Sequence, residues 1–143
     1  MGTQCKLYSS DRPQVVEPYT WTLVTYEKAL RNDEDMFRPP GLIVPPVDAD
    51  FLWARNIRWE TVTIPVGDDR PRQFMSRFIR DPHGVRDDNG ATDHLDSPGR
   101  DWSTVTWPFW GAADEPVGVE VWHDHHEPAA VGHAQFVATT WDY

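Results

Sequence analysis

An all-β sandwich is the fold class that this sequence of 143 residues predicts, and three observations predict it. Short runs rich in β-branched and aromatic residues recur between clusters of Pro, Gly and Asp. Two of those runs alternate apolar and polar residues with the period of a strand. Helical periodicity is scarce: residues 26–36, the best candidate, are mostly charged with no apolar stripe three and four apart, and read as a strand end followed by a loop.

The predicted strands fall at residues 20–26, 41–45, 51–65, 73–80, 102–109, 117–123 and 135–141. The second is bracketed by Pro39-Pro40 and Pro45-Pro46, which prevent helix there. In the third, Phe51, Trp53, Ile57 and Trp59 share one face, broken only by Arg55, as a core-facing aromatic ladder does; its length implies a bend or bulge. In the sixth, Val117, Val119 and Val121 face one way while Gly118, Glu120 and Trp122 face the other. Residues 81–100 carry Asp-Pro, Asn-Gly and Pro-Gly turn signals and read as a surface excursion, with Asp87, Asp88, Asn89 and Asp93 as its candidate contact residues. Residues 1–18 read as an irregular N-terminal arm and residues 19–143 as a single domain, since a chain of this length supports one core.

Eight Trp residues are far above ordinary usage and are the main apolar resource of the chain. Each large aromatic buries roughly 150–250 Å², so a few of them build a core or a subunit interface without many leucines. The expected core or interface aromatics are Trp21, Phe51, Trp53, Trp59, Trp107, Trp122 and Phe136. A net charge of −10, with thirteen Lys and Arg interleaved among acids, excludes a nucleic-acid groove. No run of the roughly 18–20 apolar residues of a membrane span occurs, and no charged-then-apolar signal segment opens the chain, so synthesis in the cytoplasm without membrane insertion is expected. Cys5 is alone and reads as a buried or idle thiol.

Chemistry-bearing clusters are few. His123-Asp124-His125-His126-Glu127 places His123 and His125 on one side of an extended backbone, where two imidazoles beside a carboxylate suit a divalent metal. A solvated polar turn is the favoured reading, because Pro128 follows at once and His133 comes too soon for a third ligand on a later strand. Asp87-Asp88-Asn89-Gly90 lacks the alternating acids and distant Glu of a calcium loop and reads as an Asn-Gly turn. No Ser stands in a Gly-flanked elbow, and with 23 Asp and Glu the presence of two carboxylates identifies nothing. Arg70, Arg72, Arg77 and Arg80 around Phe74 are expected to pair with the abundant acids. The expectation is a protein that is not an enzyme and carries no cofactor.

From Trp21 onward the order of features resembles the trimeric jelly roll of tumour necrosis factor and the complement globular heads. The residues that carry it are Trp21 to Tyr26, then Asn32-Asp33-Glu34-Asp35-Met36-Phe37, Leu42-Ile43-Val44-Pro45, and Phe51-Leu52-Trp53 with Ile57-Arg58-Trp59. Gly67-Asp68-Asp69-Arg70 before the fourth strand, Asp114-Glu115-Pro116 before the valine strand, and Phe136-Val137-Ala138 near the end continue it. The resemblance implies a homotrimer with aromatics packed about its axis, the use to which interfaces put Trp, Tyr, Phe and Arg. Stand-alone domains of this kind are frequent among bacteriophage virion proteins, and a composition rich in Trp, Asp, Arg and Pro and poor in Lys is similar to that of phages of GC-rich hosts. The expected function is a virion structural protein, a minor tail or tail-tip subunit contacting other virion proteins and a host-surface glycan. A capsid decoration protein, a soluble carbohydrate-binding module and a small metal enzyme on His123 and His125 are the competing readings.

Overall fold

The computed structural model describes residues 2–62, 67, 72–80, 94–96 and 103–141. Among the described residues the strands are β1 (Thr3–Ser9), β2 (Gln14–Val16), β3 (Thr22–Leu23), β4 (Lys28–Asn32), β5 (Phe37–Arg38), β6 (Leu42–Ile43), β7 (Ala49–Trp59), β8 (Phe74–Arg80), β9 (His94–Asp96), β10 (Ser103–Gly111), β11 (Val117–His123) and β12 (Ala129–Thr140). They form two antiparallel sheets. The first has the order β10-β7-β12-β1-β4, with β2 paired to β12. The second has the order β5-β6-β11-β8-β9, with β3 paired to β11. The all-β sandwich read from the sequence is the observed architecture.

Alternation decides what lies between the sheets. On β7 the odd positions Phe51, Trp53, Ile57 and Trp59 are buried, and on β11 Val117, Val119 and Val121 meet them from the other sheet. Trp53 is at the centre, with its ring 4.9 Å from that of Phe109 at 11° and 5.9 Å from that of Phe136. Its indole N–H donates to the Phe109 carbonyl at 3.1 Å, so the one polar atom of this side chain is satisfied inside the core. Trp59 packs edge-on against Phe74 at 5.0 Å.

Several expectations are corrected. Arg55 does not break the aromatic ladder; it is buried on the same face. Its Nε–H donates to Ser76 Oγ at 2.8 Å and a terminal N–H to the Ser76 carbonyl at 2.9 Å, while the guanidinium lies 4.5 Å over the Phe78 ring. A planar, weakly hydrated cation with fixed donors tolerates such a place where an ammonium would not. The predicted bulge belongs to the neighbouring strand: the register passes from Val131↔Trp59 to His133↔Arg58, leaving Gly132 as the extra residue of β12. A Cβ at Gly132 would meet the carboxylate of the exposed Glu60, which would have to turn aside.

Residues 1–18 are not an arm. β1 lies inside the first sheet, paired with β12 from Thr3↔Thr140 to Ser9↔Ala134 and with β4 on its other side. Cys5 and Leu7 enter the core between outward Gln4, Lys6 and Tyr8, an alternation too short and too polar to stand out by composition. The boundary at residue 18 therefore disappears. The Cys5 thiol is pushed up to about 12 by burial first and by Asp33 second, the mark of an inert thiol. The following turn is gathered by Glu27, whose Oε2 accepts from Ser9 Oγ and from the backbone N–H groups of Ser10, Asp11 and Arg12 at 2.9, 3.0 and 3.1 Å. The strand end and loop expected at residues 26–36 are the strand β4 and a 3-10 turn at Asp33–Asp35. The excursion at residues 81–100 contains β9, which pairs with β8.

Candidate assembly face and the histidine turn

The register of the first sheet fixes which side chains share its outer face. β10 contributes Thr104, Thr106, Pro108 and Trp110, opposite Asn56, Ala54, Leu52 and Asp50 of β7. β12 adds Gln135, Val137 and Thr139, and β1 adds Tyr8, Lys6 and Gln4. Asp50 and Lys6 are the charged residues among these positions, in a chain with 23 acids. Polar groups on the face satisfy one another across strands: Asn56 Nδ2–H donates to Gln135 Oε1 at 2.9 Å, and Gln4 Nε2–H to Thr139 Oγ1 at 3.2 Å. Toward one end Leu52, Trp110 and Trp141 are 38%, 48% and 66% exposed. Basic residues border this area, since Arg58 continues the outward side of β7 and Lys28 and Arg31 of β4 stand opposite Tyr8 and Lys6. The charge-poor strip of β10, β7 and β12 with its exposed aromatics has the composition of an interface core.

The outer face of the second sheet is built differently. Arg77 and Glu120 stand opposite each other on β8 and β11 and form a buried pair at 2.6 Å. The Arg77 guanidinium lies 3.6 Å over the Trp21 ring, and Trp122 packs against Trp21 and against the exposed Tyr19 with centroids 6.3 and 6.0 Å away. The pairing expected of the arginines with acids thus holds at Arg77, with an aromatic cover added.

At the end of β11 the polar cluster is not a solvated turn: His123 and His125 are both buried. His125 N–H donates to His123 Nδ1 at 3.1 Å, which requires that nitrogen to be unprotonated. The Nε2–H of His123 therefore donates to the Val16 carbonyl, 2.7 Å away. Both nitrogens of His123 are committed to the fold, so it is excluded from the ligand pair that the sequence suggested. The turn is clamped to the start of β8 by two bonds: Asp124 N–H donates to the Gln73 carbonyl at 3.1 Å, and Asp124 Oδ1 accepts from Gln73 N–H at 2.8 Å. Burial holds the His125 imidazole below the ordinary histidine range, helped by His126, Arg72 and His123 and opposed by Glu127.

Of the aromatics singled out in the sequence, Phe51, Trp53, Trp59 and Phe136 form the core and Trp107 packs half-buried against it. Trp21 and Trp122 are instead half-exposed on the second sheet. Asp87, Asp88, Asn89 and Asp93 lie outside the described residues. Leu52, Trp110 and Trp141 were not singled out; the signal for them is pairing register, which one strand read alone does not contain. Among the described residues no helix is long and apolar enough to cross a membrane.

No family model and no curated protein sequence matches the chain. Solved structures do. The globular domain of zebrafish complement 1qA superposes with a TM-score of 0.61 at 13% identity, over 98% of this chain and 97% of that one. Murine APRIL superposes with a TM-score of 0.63 at 12% identity, over 96% of this chain and 100% of that one. The two likenesses run nearly the length of the chain, and the fold they show is the jelly roll of the tumour necrosis factor and complement globular-head type.

Proposed function

We propose that the protein is a non-enzymatic homotrimer that serves as a structural subunit of a bacteriophage virion, in a minor tail or tail-tip position. The observation that carries the assembly is the strip of the first sheet's outer face on β10, β7 and β12 between Asp50 and Arg58, where Leu52, Trp110 and Trp141 are exposed. Three copies turning this face inward remove the apolar patch from water with little charge to desolvate, while the acids on the remaining surface keep trimers apart. The likeness in fold to complement 1qA and APRIL supports this arrangement. The virion placement rests on composition: eight Trp and thirteen Pro against two Lys.

The test has two levels. Sedimentation of the wild-type chain should give a trimer, and Leu52→Glu combined with Trp110→Ser should give a folded monomer; a monomeric wild type refutes the assembly. Electron microscopy of the native particle should then place the chain on the tail, and location on the head would transfer it to capsid decoration. A carbohydrate-binding role is favoured by one observation, the half-exposed Trp21 and Trp122 beside the exposed Tyr19, a set of rings suited to stacking on sugars. Glycan-array binding lost in Tyr19→Ala and Trp122→Ala would establish that role.

A further inference from the structure

The turn between β11 and β12 holds a polar arrangement that the fold does not explain. His125 is 1% exposed, yet its Nδ1 has no hydrogen-bond partner among the described residues. An unsatisfied buried ring nitrogen costs about 1–3 kcal/mol, so such a group calls for a ligand or another account. Beside it, one donor atom each from His125, His126 and Glu127 lie within 4.8 Å of one another. The His125 and His126 rings cross at 62° with centroids 4.4 Å apart, and His126 Nε2 is 3.8 Å from Glu127 Oε1.

We propose that His125, His126 and Glu127 form a binding site for one divalent cation of the zinc class, independent of the assembly proposed above. Two imidazoles and a carboxylate are the donor set that borderline ions prefer over calcium or magnesium, which take oxygen ligands. Zinc requires ligand distances of about 2.0–2.2 Å, so His126 and Glu127 must close on the ion from their present separation of 3.8 Å. Their side chains are free to do so, being 44% and 66% exposed. His125 needs no such movement, because its backbone N–H is tied to His123 and the preceding Asp124 is tied twice to Gln73. The site is thus one buried, fixed imidazole with two adjustable partners at the surface, and three protein ligands leave a tetrahedral position open. The ligands lie three in a row, and the ring that holds the first of them, His123, is one of the two histidines that strand spacing pairs as ligand candidates.

The experiment uses the full chain stripped with a chelator and titrated with Co(II) as the spectroscopic probe, then with Zn(II) by calorimetry. One equivalent of Co(II) should give visible ligand-field bands, which one equivalent of Zn(II) abolishes and excess Ca(II) leaves unchanged. Losing a supporting partner of a metal ligand typically costs about 10–100-fold in affinity, so losing a ligand in His126→Ala or Glu127→Gln should cost at least about tenfold. Both residues are exposed, so these variants keep the fold, while His133→Ala should bind as wild type does. Absence of binding, wild-type affinity in either ligand variant, loss of binding in His133→Ala, or displacement of Co(II) by Ca(II) would each overturn the proposal.

Discussion

The two outer faces of the sandwich use the same residue types to opposite ends. On the first sheet Leu52, Trp110 and Trp141 stand uncovered along a strip of β7, β10 and β12 that carries few charges. On the second, Trp21 is covered by the Arg77 guanidinium, Arg77 is neutralised by Glu120, and Leu23 and Leu42 close over Gly118, where a Cβ would stand 2.8 and 3.0 Å from them. One face completes its own packing within the chain, and the other leaves it to a neighbour. Counting hydrophobic residues does not separate them; counting what lies over each one does.

Substitutions sharpen that contrast, beginning with the core that both faces share. Trp53→Ala should cost about 3–5 kcal/mol in denaturant melts through lost transfer energy plus a cavity, whichever sheet is probed. A wild-type melting point would mean that the aromatic stack is not the core. Next in size, Arg77→Ala should cost about 2 kcal/mol, because it leaves the half-buried Glu120 carboxylate without its charged partner and uncovers Trp21. Its sedimentation should be unchanged, and dissociation of the assembly would show that the second sheet is the interface. Leu52→Glu should behave in the reverse manner, changing the stability of the monomer by under about 0.5 kcal/mol while abolishing association. The smallest effect is one of pH at the edge of the first sheet. Hydrogen bonds from Ser9 and from three backbone N–H groups hold the Glu27 carboxyl below the usual glutamate range. The folded form therefore binds its proton less readily than the unfolded one. Its contribution is complete above about pH 4.3 and disappears as pH falls through the depressed value. Glu27→Gln should flatten that acid limb in a stability–pH profile, and an unaltered limb would assign it to other carboxylates.

Legibility in the sequence followed the chemistry of each position. Strands β8, β10 and β11 were readable because large apolar residues alternate or cluster between turn signals, and β11 matches its predicted range. β1 was not, because Leu7 is the one large apolar residue among its inward positions, beside the small Cys5 and Ser9, and its outward Lys6 and Tyr8 are larger still. By residue type Arg55 reads as a break in the apolar face and His123 as part of a solvated turn, whereas each is buried with one specific partner far along the chain, Ser76 and Val16. Such partnerships depend on tertiary geometry that no local window contains. The ligand pair divides for the same reason: strand spacing puts His123 beside His125, but only the hydrogen bonds show that His123 is spent while His125 is not.

The pairing of β1 with β12 has a consequence for synthesis. Thr3 meets Thr140 and Ser9 meets Ala134, so β1, which precedes the other described strands, must wait for the one that follows all of them. During that interval the inward side chains of β1, Cys5 and Leu7, have β4 beside them but not their central partner. The first sheet therefore closes after translation of residue 140, not during it, and the loop that must be closed spans nearly the whole chain, which slows folding relative to a protein built from local contacts. A nascent chain arrested before β12 would expose an unpaired strand edge on β7, and would be more prone to edge-to-edge aggregation than one released complete.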